Sequence, residues 1–143
     1  MLTFRCNSLE DTARAAQALA PLLRPGDLLA YRGGMGAGKT TFTRALCAAL
    51  GIGAWVSSPT FALVHEYEGG GMTLCHFDMY RISSFDDLYS TGFFDYLDRN
   101  NAILAVEWSE NILQDLPENA ISVTFEITGP HSRDITVEGD ERF

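Results

Sequence analysis

Along the chain, short apolar blocks alternate with turns marked by glycine and proline. Residues 2–6 alternate apolar and polar, as a strand does when it buries one face. Ser8 stands where a helix N-cap belongs, with Asp11 three residues on in an imperfect capping box. Residues 9–23 then have helical spacing, with Leu9, Ala13, Ala16, Leu19, Ala20 and Leu23 near one face. Arg24-Pro25-Gly26-Asp27 is a turn, residues 28–31 are a short apolar strand, and residues 39–50 form a second helix that Gly51 closes. Residues 61–68 and 72–78 read as a hairpin around Gly69-Gly70-Gly71. Ser84 caps a short helix over residues 85–90, and residues 93–97 add another helical turn. Residues 102–106 are continuously apolar and end in Glu107, as a buried parallel strand reads. Residues 121–128 and 133–138 flank a Gly129-Pro130 turn and form a closing hairpin. The pattern contains no linker and no repeat. It predicts one α/β domain over residues 1–138, with a mixed sheet that is parallel in the middle and antiparallel towards its edges. Residues 139–143 are acidic and are expected to be a flexible tail.

The segment between the second strand and the second helix carries the chemistry. Gly33-Gly34-Met35-Gly36-Ala37-Gly38-Lys39-Thr40 fits G-x-x-x-x-G-K-[ST] in full, with a strand before it and a helix after it. Glycines let such a loop take positive φ and turn its N–H groups onto phosphate oxygens. The helix that follows aims its unpaired N–H groups and the positive end of its dipole at the same anion. The expectation is therefore a P-loop NTPase-like three-layer domain that takes ATP and Mg²⁺. Gly33, Gly36, Ala37, Gly38, Lys39, Thr40 and Thr41 would hold the phosphates, Lys39 reaching the β- and γ-phosphates and Thr40 ligating magnesium.

Composition sharpens this reading. Lys39 is the only lysine in 143 residues, every other basic side chain being arginine. A compact ammonium on a flexible stem reaches between phosphates from a tight loop in a way that a planar guanidinium does not. A single lysine, already used in the loop, also leaves none for the Asn-Lys-x-Asp motif that reads guanine, which argues against a GTPase. Residues 1–53 carry six basic and three acidic side chains, a balance of +3, whereas residues 54–143 carry four basic and sixteen acidic, a balance of −12. That acidity argues against independent binding to nucleic acid, which rests on Lys and Arg neutralising phosphates. It suits either a basic protein partner or simple solubility. Cys6, Cys47 and Cys75 are widely spaced and suggest buried, reduced thiols in a cytoplasmic protein. No apolar run is long enough to span a bilayer.

A P-loop needs an acid to anchor magnesium, usually at the C-terminal end of a neighbouring strand. Glu107 and Asp78 compete for that place. Glu107 ends the run Ile103-Leu104-Ala105-Val106, and Asp78 ends residues 72–78 with His76 on the same face. Asp78 would hold magnesium through water or orient the attacking water. His76 reads as a packed or hydrogen-bonded histidine rather than a base. The loop Ser57-Ser58-Pro59-Thr60-Phe61 lies where a nucleotide-sensing switch would lie, with the Thr60 hydroxyl best placed to meet Mg²⁺ or the γ-phosphate.

Taken together, Gly33 to Thr41, Ser58-Pro59-Thr60-Phe61, His76-Phe77-Asp78-Met79-Tyr80-Arg81 and Glu107-Trp108 resemble the TsaE (YjeE) family in order and spacing, over roughly residues 8–138. The resemblance implies a bacterial cytoplasmic Mg-dependent ATPase needed for threonylcarbamoyladenosine modification of tRNA next to the anticodon. It implies action with the TsaD and TsaB proteins, contact with tRNA only through that complex, and no membrane. It places Thr40 and Glu107 on magnesium, makes Asp78 necessary for hydrolysis, puts Thr12 close to the nucleotide base, and sets Trp108 beside the site. Met35 stands where the family often has leucine, and Ser109 where proline is frequent. A small-molecule kinase would need a lid bearing arginines, for which the chain offers few after Arg44. An ATP-sensing module with negligible turnover remains open, because no residue reads as a strong general base.

Overall fold

The computed structural model describes every residue except Met35, Ala54, Trp55, Ser57, Ser58, Thr60, Phe61 and Ala62. Among the described residues the chain forms β1 (Leu2–Cys6), α1 (Leu9–Leu19), β2 (Leu28–Arg32), α2 (Lys39–Ala49), β3 (Val64–Gly69), β4 (Met72–Asp78), α3 (Phe85–Ser90), α4 (Phe93–Arg99), β5 (Ile103–Glu107), β6 (Ile121–Gly129) and β7 (Ser132–Glu138). Short 3₁₀ segments lie at Ala20–Leu22 and Ser109–Asp115. The strands make one seven-stranded sheet in the order β1-β7-β6-β2-β5-β4-β3. Its centre is parallel, β2 pairing with β6 and β5, and β5 with β4. Both sides end in antiparallel hairpins, β3–β4 on one and β6–β7 on the other, with β1 antiparallel to β7 at the edge. The mixed α/β sheet expected from the sequence is the sheet observed.

The burial pattern follows from this order. β5 lies between β2 and β4, and each of its five residues is buried. This is why Ile103 to Val106 is apolar without alternation. One core layer lies against α1 and α2, and joins Leu19, Leu46 and Phe42 to Leu29, Tyr31, Ala105 and Val123. The other lies against α3 and α4, and joins Leu88 and Phe93 to Leu28, Phe77, Leu104 and Val106. Phe77 meets Phe93 and Tyr96 edge-on, at centroid distances of 5.4 and 5.1 Å. Cys6, Cys47 and Cys75 are free and buried, and burial pushes the Cys47 and Cys75 thiols up to about 11.

Three details differ from the sequence pattern. The helix α1 stops at Leu19 and tightens into 3₁₀, because Pro21 has no N–H to continue the ladder. Its inward face is Thr12, Ala15, Ala16 and Leu19, whereas Leu9, in the first turn, is 69% exposed. The third is the end of the chain, expected to be a flexible tail over residues 139–143. Instead Arg142 makes two bonds to the Asp27 carboxylate, at 2.9 and 3.0 Å, and donates to the Leu22 carbonyl at 2.8 Å. Phe143 packs on the α1-side core. A bidentate guanidinium–carboxylate pair fixes a short segment that composition alone would leave loose. Arg142→Ala should therefore lower stability by about 1 kcal/mol. A thermal melt checks this, and an unchanged midpoint would show that the tail contact contributes nothing.

Candidate nucleotide site

β2 delivers the chain into the glycine loop, and α2 carries it away. Gly33 has φ +145°, and a Cβ there would sit 2.7 Å from the Phe125 carbonyl oxygen, so β6 leaves no room for a side chain. Gly38 is the residue before α2 and has φ +92°. No side chain caps this helix, so the N–H groups of its first turn are left for another acceptor. Lys39 opens α2 and is buried. Its ammonium donates to the Gly33 carbonyl at 2.8 Å and lies 4.5 Å from the centre of the Trp108 ring. Below it, Thr43 donates to the Lys39 carbonyl at 2.9 Å and shares a 2.8 Å hydrogen bond with the Tyr31 hydroxyl, tying the first turn of α2 to β2.

The two acids arrive on neighbouring parallel strands. Asp78 and Glu107 are register partners at the C-terminal ends of β4 and β5, and both are buried. The ends of parallel strands are where ligands sit in open α/β sheets. The Thr40 hydroxyl donates to Glu107 Oε2 at 3.5 Å, and His76 Nε2 lies against the same oxygen. His76 is thus a packed partner of Glu107, buried beneath the site. Asp78 Oδ1 accepts from the Tyr80 N–H at 2.8 Å, which holds its carboxyl at the strand end.

Two of the three non-glycine residues at positive φ among the described residues lie near these acids, the third being Asn100 after α4. Leu63 and Trp108 are non-glycine residues at positive φ, +67° and +58°. The carbonyl of Leu63 accepts from the Asp78 N–H at 3.0 Å, and Trp108 directly follows Glu107. A bulky residue in this conformation costs on the order of 1–2 kcal/mol, which the surrounding contacts must offset. For Trp108 those contacts are the Lys39 ammonium and the Tyr80 ring, the latter at a centroid distance of 5.0 Å. Ser109 turns its buried hydroxyl back to the Tyr31 carbonyl at 2.8 Å, anchoring the 3₁₀ segment to β2.

These groups line one cleft of about 440 Å³, formed by Gly36 to Thr41 together with Asp78, Glu107, Trp108 and Arg133. Of the residues that the sequence singled out, Gly36, Ala37, Gly38, Lys39, Thr40, Thr41, Asp78 and Glu107 therefore come together. Gly33 supports the cleft through its bond to Lys39 without lining it. Thr12 is buried at the start of α1, its hydroxyl donating to the Ser8 carbonyl at 3.3 Å, and is not among the lining residues. Thr60, and the Ser57 to Phe61 loop apart from Pro59, lie outside the described residues.

Arg133 is the site residue that sequence reasoning missed. It comes from β7, and its Nη1 donates to the Ala37 carbonyl at 3.3 Å. No local pattern marks it, because strand pairing through β6 is what carries it to the loop. A Cβ on Gly38 would meet only the far end of the Arg133 side chain, which can swing aside, so the φ of +92° is what calls for glycine there.

Comparison with known proteins decides the family. The model of the family described as "Threonylcarbamoyl adenosine biosynthesis protein TsaE" matches residues 6–135. The chain belongs to the TsaE family. It is 36% identical over 135 residues to the Bacillus subtilis tRNA threonylcarbamoyladenosine biosynthesis protein TsaE, covering 94% of this chain and 84% of that one. It is 44% identical over 105 residues to the Aquifex aeolicus TsaE protein, covering 72% and 73%. Its fold is similar to the crystal structure of the Bacillus subtilis protein YdiB, with a TM-score of 0.79 at 32% identity over 96% of this chain and 84% of that one. The TsaE resemblance drawn from the motifs is thus confirmed by the family model over most of the chain.

The Gly38 geometry makes a prediction. Gly38→Ala should destabilise the fold by about 1–2 kcal/mol, from positive φ. A thermal melt checks this, and an unchanged midpoint would show that the left-handed turn at Gly38 places no demand on the residue.

Proposed function

We propose that this chain binds ATP with magnesium and hydrolyses it slowly, acting with a TsaD–TsaB complex in the threonylcarbamoyladenosine modification of tRNA next to the anticodon. One observation carries the reading: the lone lysine, the uncapped start of α2 and the paired acids Asp78 and Glu107 converge on one cleft. TsaE membership supports the tRNA-modification context, the same context that the names of the relatives print. Among the described residues no helix is long and apolar enough to cross a membrane.

The residues divide the work. Backbone N–H groups at the start of α2 and the Lys39 ammonium receive the phosphates, Lys39 giving up the Gly33 carbonyl for the β- and γ-oxygens. Arg133, held at the Ala37 carbonyl, adds a second cation along the loop. The Thr40 hydroxyl and the Glu107 carboxylate, neighbours in the cleft, are the hard oxygen donors that suit Mg²⁺. Few protein ligands are needed, since phosphates and water complete the set, and the described residues contain no cluster of three or more ligating side chains. Bound magnesium would neutralise charge on the phosphates as it develops. His76 orients the Glu107 carboxylate from beneath. Asp78, fixed by the Tyr80 N–H, orients the attacking water. A carboxylate is a weak general base, so turnover by the chain alone is slow and the partner completes the site. Thr60 is assigned to the magnesium or γ-phosphate side, on sequence grounds.

Phosphate release by the purified chain, alone and then with TsaD and TsaB, tests this. Strong stimulation is expected. No stimulation despite ATP binding and a formed complex would favour an ATP-sensing module instead. Lys39→Ala should weaken ATP binding by at least about a hundredfold in calorimetry, and unchanged affinity would sink the phosphate-loop reading. Asp78→Ala should bind ATP and lose turnover, whereas Glu107→Ala should weaken binding more with magnesium than without it.

A further inference from the structure

Seven large apolar side chains are exposed among the described residues, and four of them, Tyr80, Phe85, Tyr89 and Leu113, belong to neighbouring segments around one groove. They are 50% to 69% exposed. Met1, Leu9 and Ile127 sit on other elements, and scattered exposures of that kind are ordinary. Phe85 stacks on Tyr89 and Phe94, at centroid distances of 6.2 and 5.7 Å, so α3 and α4 present a ring platform. The Asn111 amide donates to the Met79 and Tyr80 carbonyls, at 2.9 and 3.2 Å, joining the 3₁₀ segment Ser109–Asp115 to the end of β4. A groove of about 460 Å³ runs between Ser83 to Phe85 on one side and Glu110 to Asp115 on the other.

Apart from Arg81 at its edge, the charge around this groove is acidic. There is no Lys or Arg from Ile82 to Asp98, nor from Asn100 to Ser132. Glu110 and Asp115 line the groove, and Asp86 is exposed on α3. Such a surface repels RNA and favours guanidinium or ammonium groups, which pair with carboxylates and lie over aromatic faces. Aromatic anchors within a charged rim are the usual anatomy of a protein-binding patch. The patch also adjoins the nucleotide cleft, because Tyr80 packs on Trp108 and Trp108 lies under Lys39.

We propose that this face docks a basic protein segment, with Arg or Lys interleaved with aliphatic residues, and that the TsaD–TsaB complex carries it. The inference rests on the partner reading given above. Its position beside Trp108 makes docking and occupancy of the ATP site sense one another through the Tyr80–Trp108–Lys39 stack.

The test is the affinity of the full chain for purified TsaD–TsaB with ATP present. Phe85→Ala/Tyr89→Ala and, separately, Glu110→Arg/Asp115→Arg should each weaken binding by at least about tenfold, and wild-type affinity should fall as salt rises. ATP affinity of each variant should stay unchanged, and Leu9→Ala should bind the complex as wild type does. If wild type binds and both double variants bind equally well, this docking face is wrong while the partner reading stands. If wild type does not bind, the partner reading fails and takes this inference with it. Sedimentation of the chain alone is the final check. A dimer that the same variants disperse would assign the face to a second copy and overturn the proposal.

Discussion

Everything in this domain depends on burying two carboxylates next to one ammonium at the edge of a parallel sheet. Asp78 and Glu107 end adjacent strands, so the register that pairs β4 with β5 also places their side chains together. Burying like charges side by side is costly unless positive groups face them. Here the Lys39 ammonium and the uncapped start of α2 share the cleft with both carboxylates, and the His76 ring packs against Glu107. The continuous apolar strand β5 and the glycine loop after β2 are what bring these parts within reach of one another.

The same arrangement accounts for the strained positions. Trp108 follows Glu107 immediately and must turn the chain out of the sheet without displacing that carboxylate, which it does at positive φ. Ser109 then secures the exit by bonding back to β2. Lys39 bonded to the loop carbonyl and lying over Trp108 is held where it can move to phosphate without leaving the cleft. Preorganisation of this kind limits the reorganisation required when a charged ligand arrives.

Much of this was legible in the sequence because the relevant signals are local. Glycines at fixed offsets before Lys39 mark the loop, and the apolar run ending in Glu107 marks a buried strand. The ends of β4 and α3 follow from alternation and from the Ser84 cap. What was not legible depends on long-range pairing. Arg133 reaches the loop only because β7 pairs with β6 beside β2. Arg142 finds Asp27 across 115 positions, which no composition rule anticipates. The inward face of α1 was misjudged at Leu9, since helical spacing gives a stripe but not where along the helix the sheet stops covering it. The 3₁₀ segment Ser109–Asp115 has no period strong enough to announce it and is fixed instead by the Ser109 bond to β2 and the Asn111 bond to Met79, just after β4.

The most direct measurement is the emission of Trp108 during titration with ATP and magnesium, in a Trp55→Phe chain that leaves Trp108 as its only tryptophan. If ATP draws the Lys39 ammonium from the Trp108 ring, emission changes saturably, and the change disappears when Lys39→Ala is added. A flat titration, in a folded chain for which calorimetry also finds no heat of ATP binding, would contradict the central claim that this cleft is built for a nucleotide.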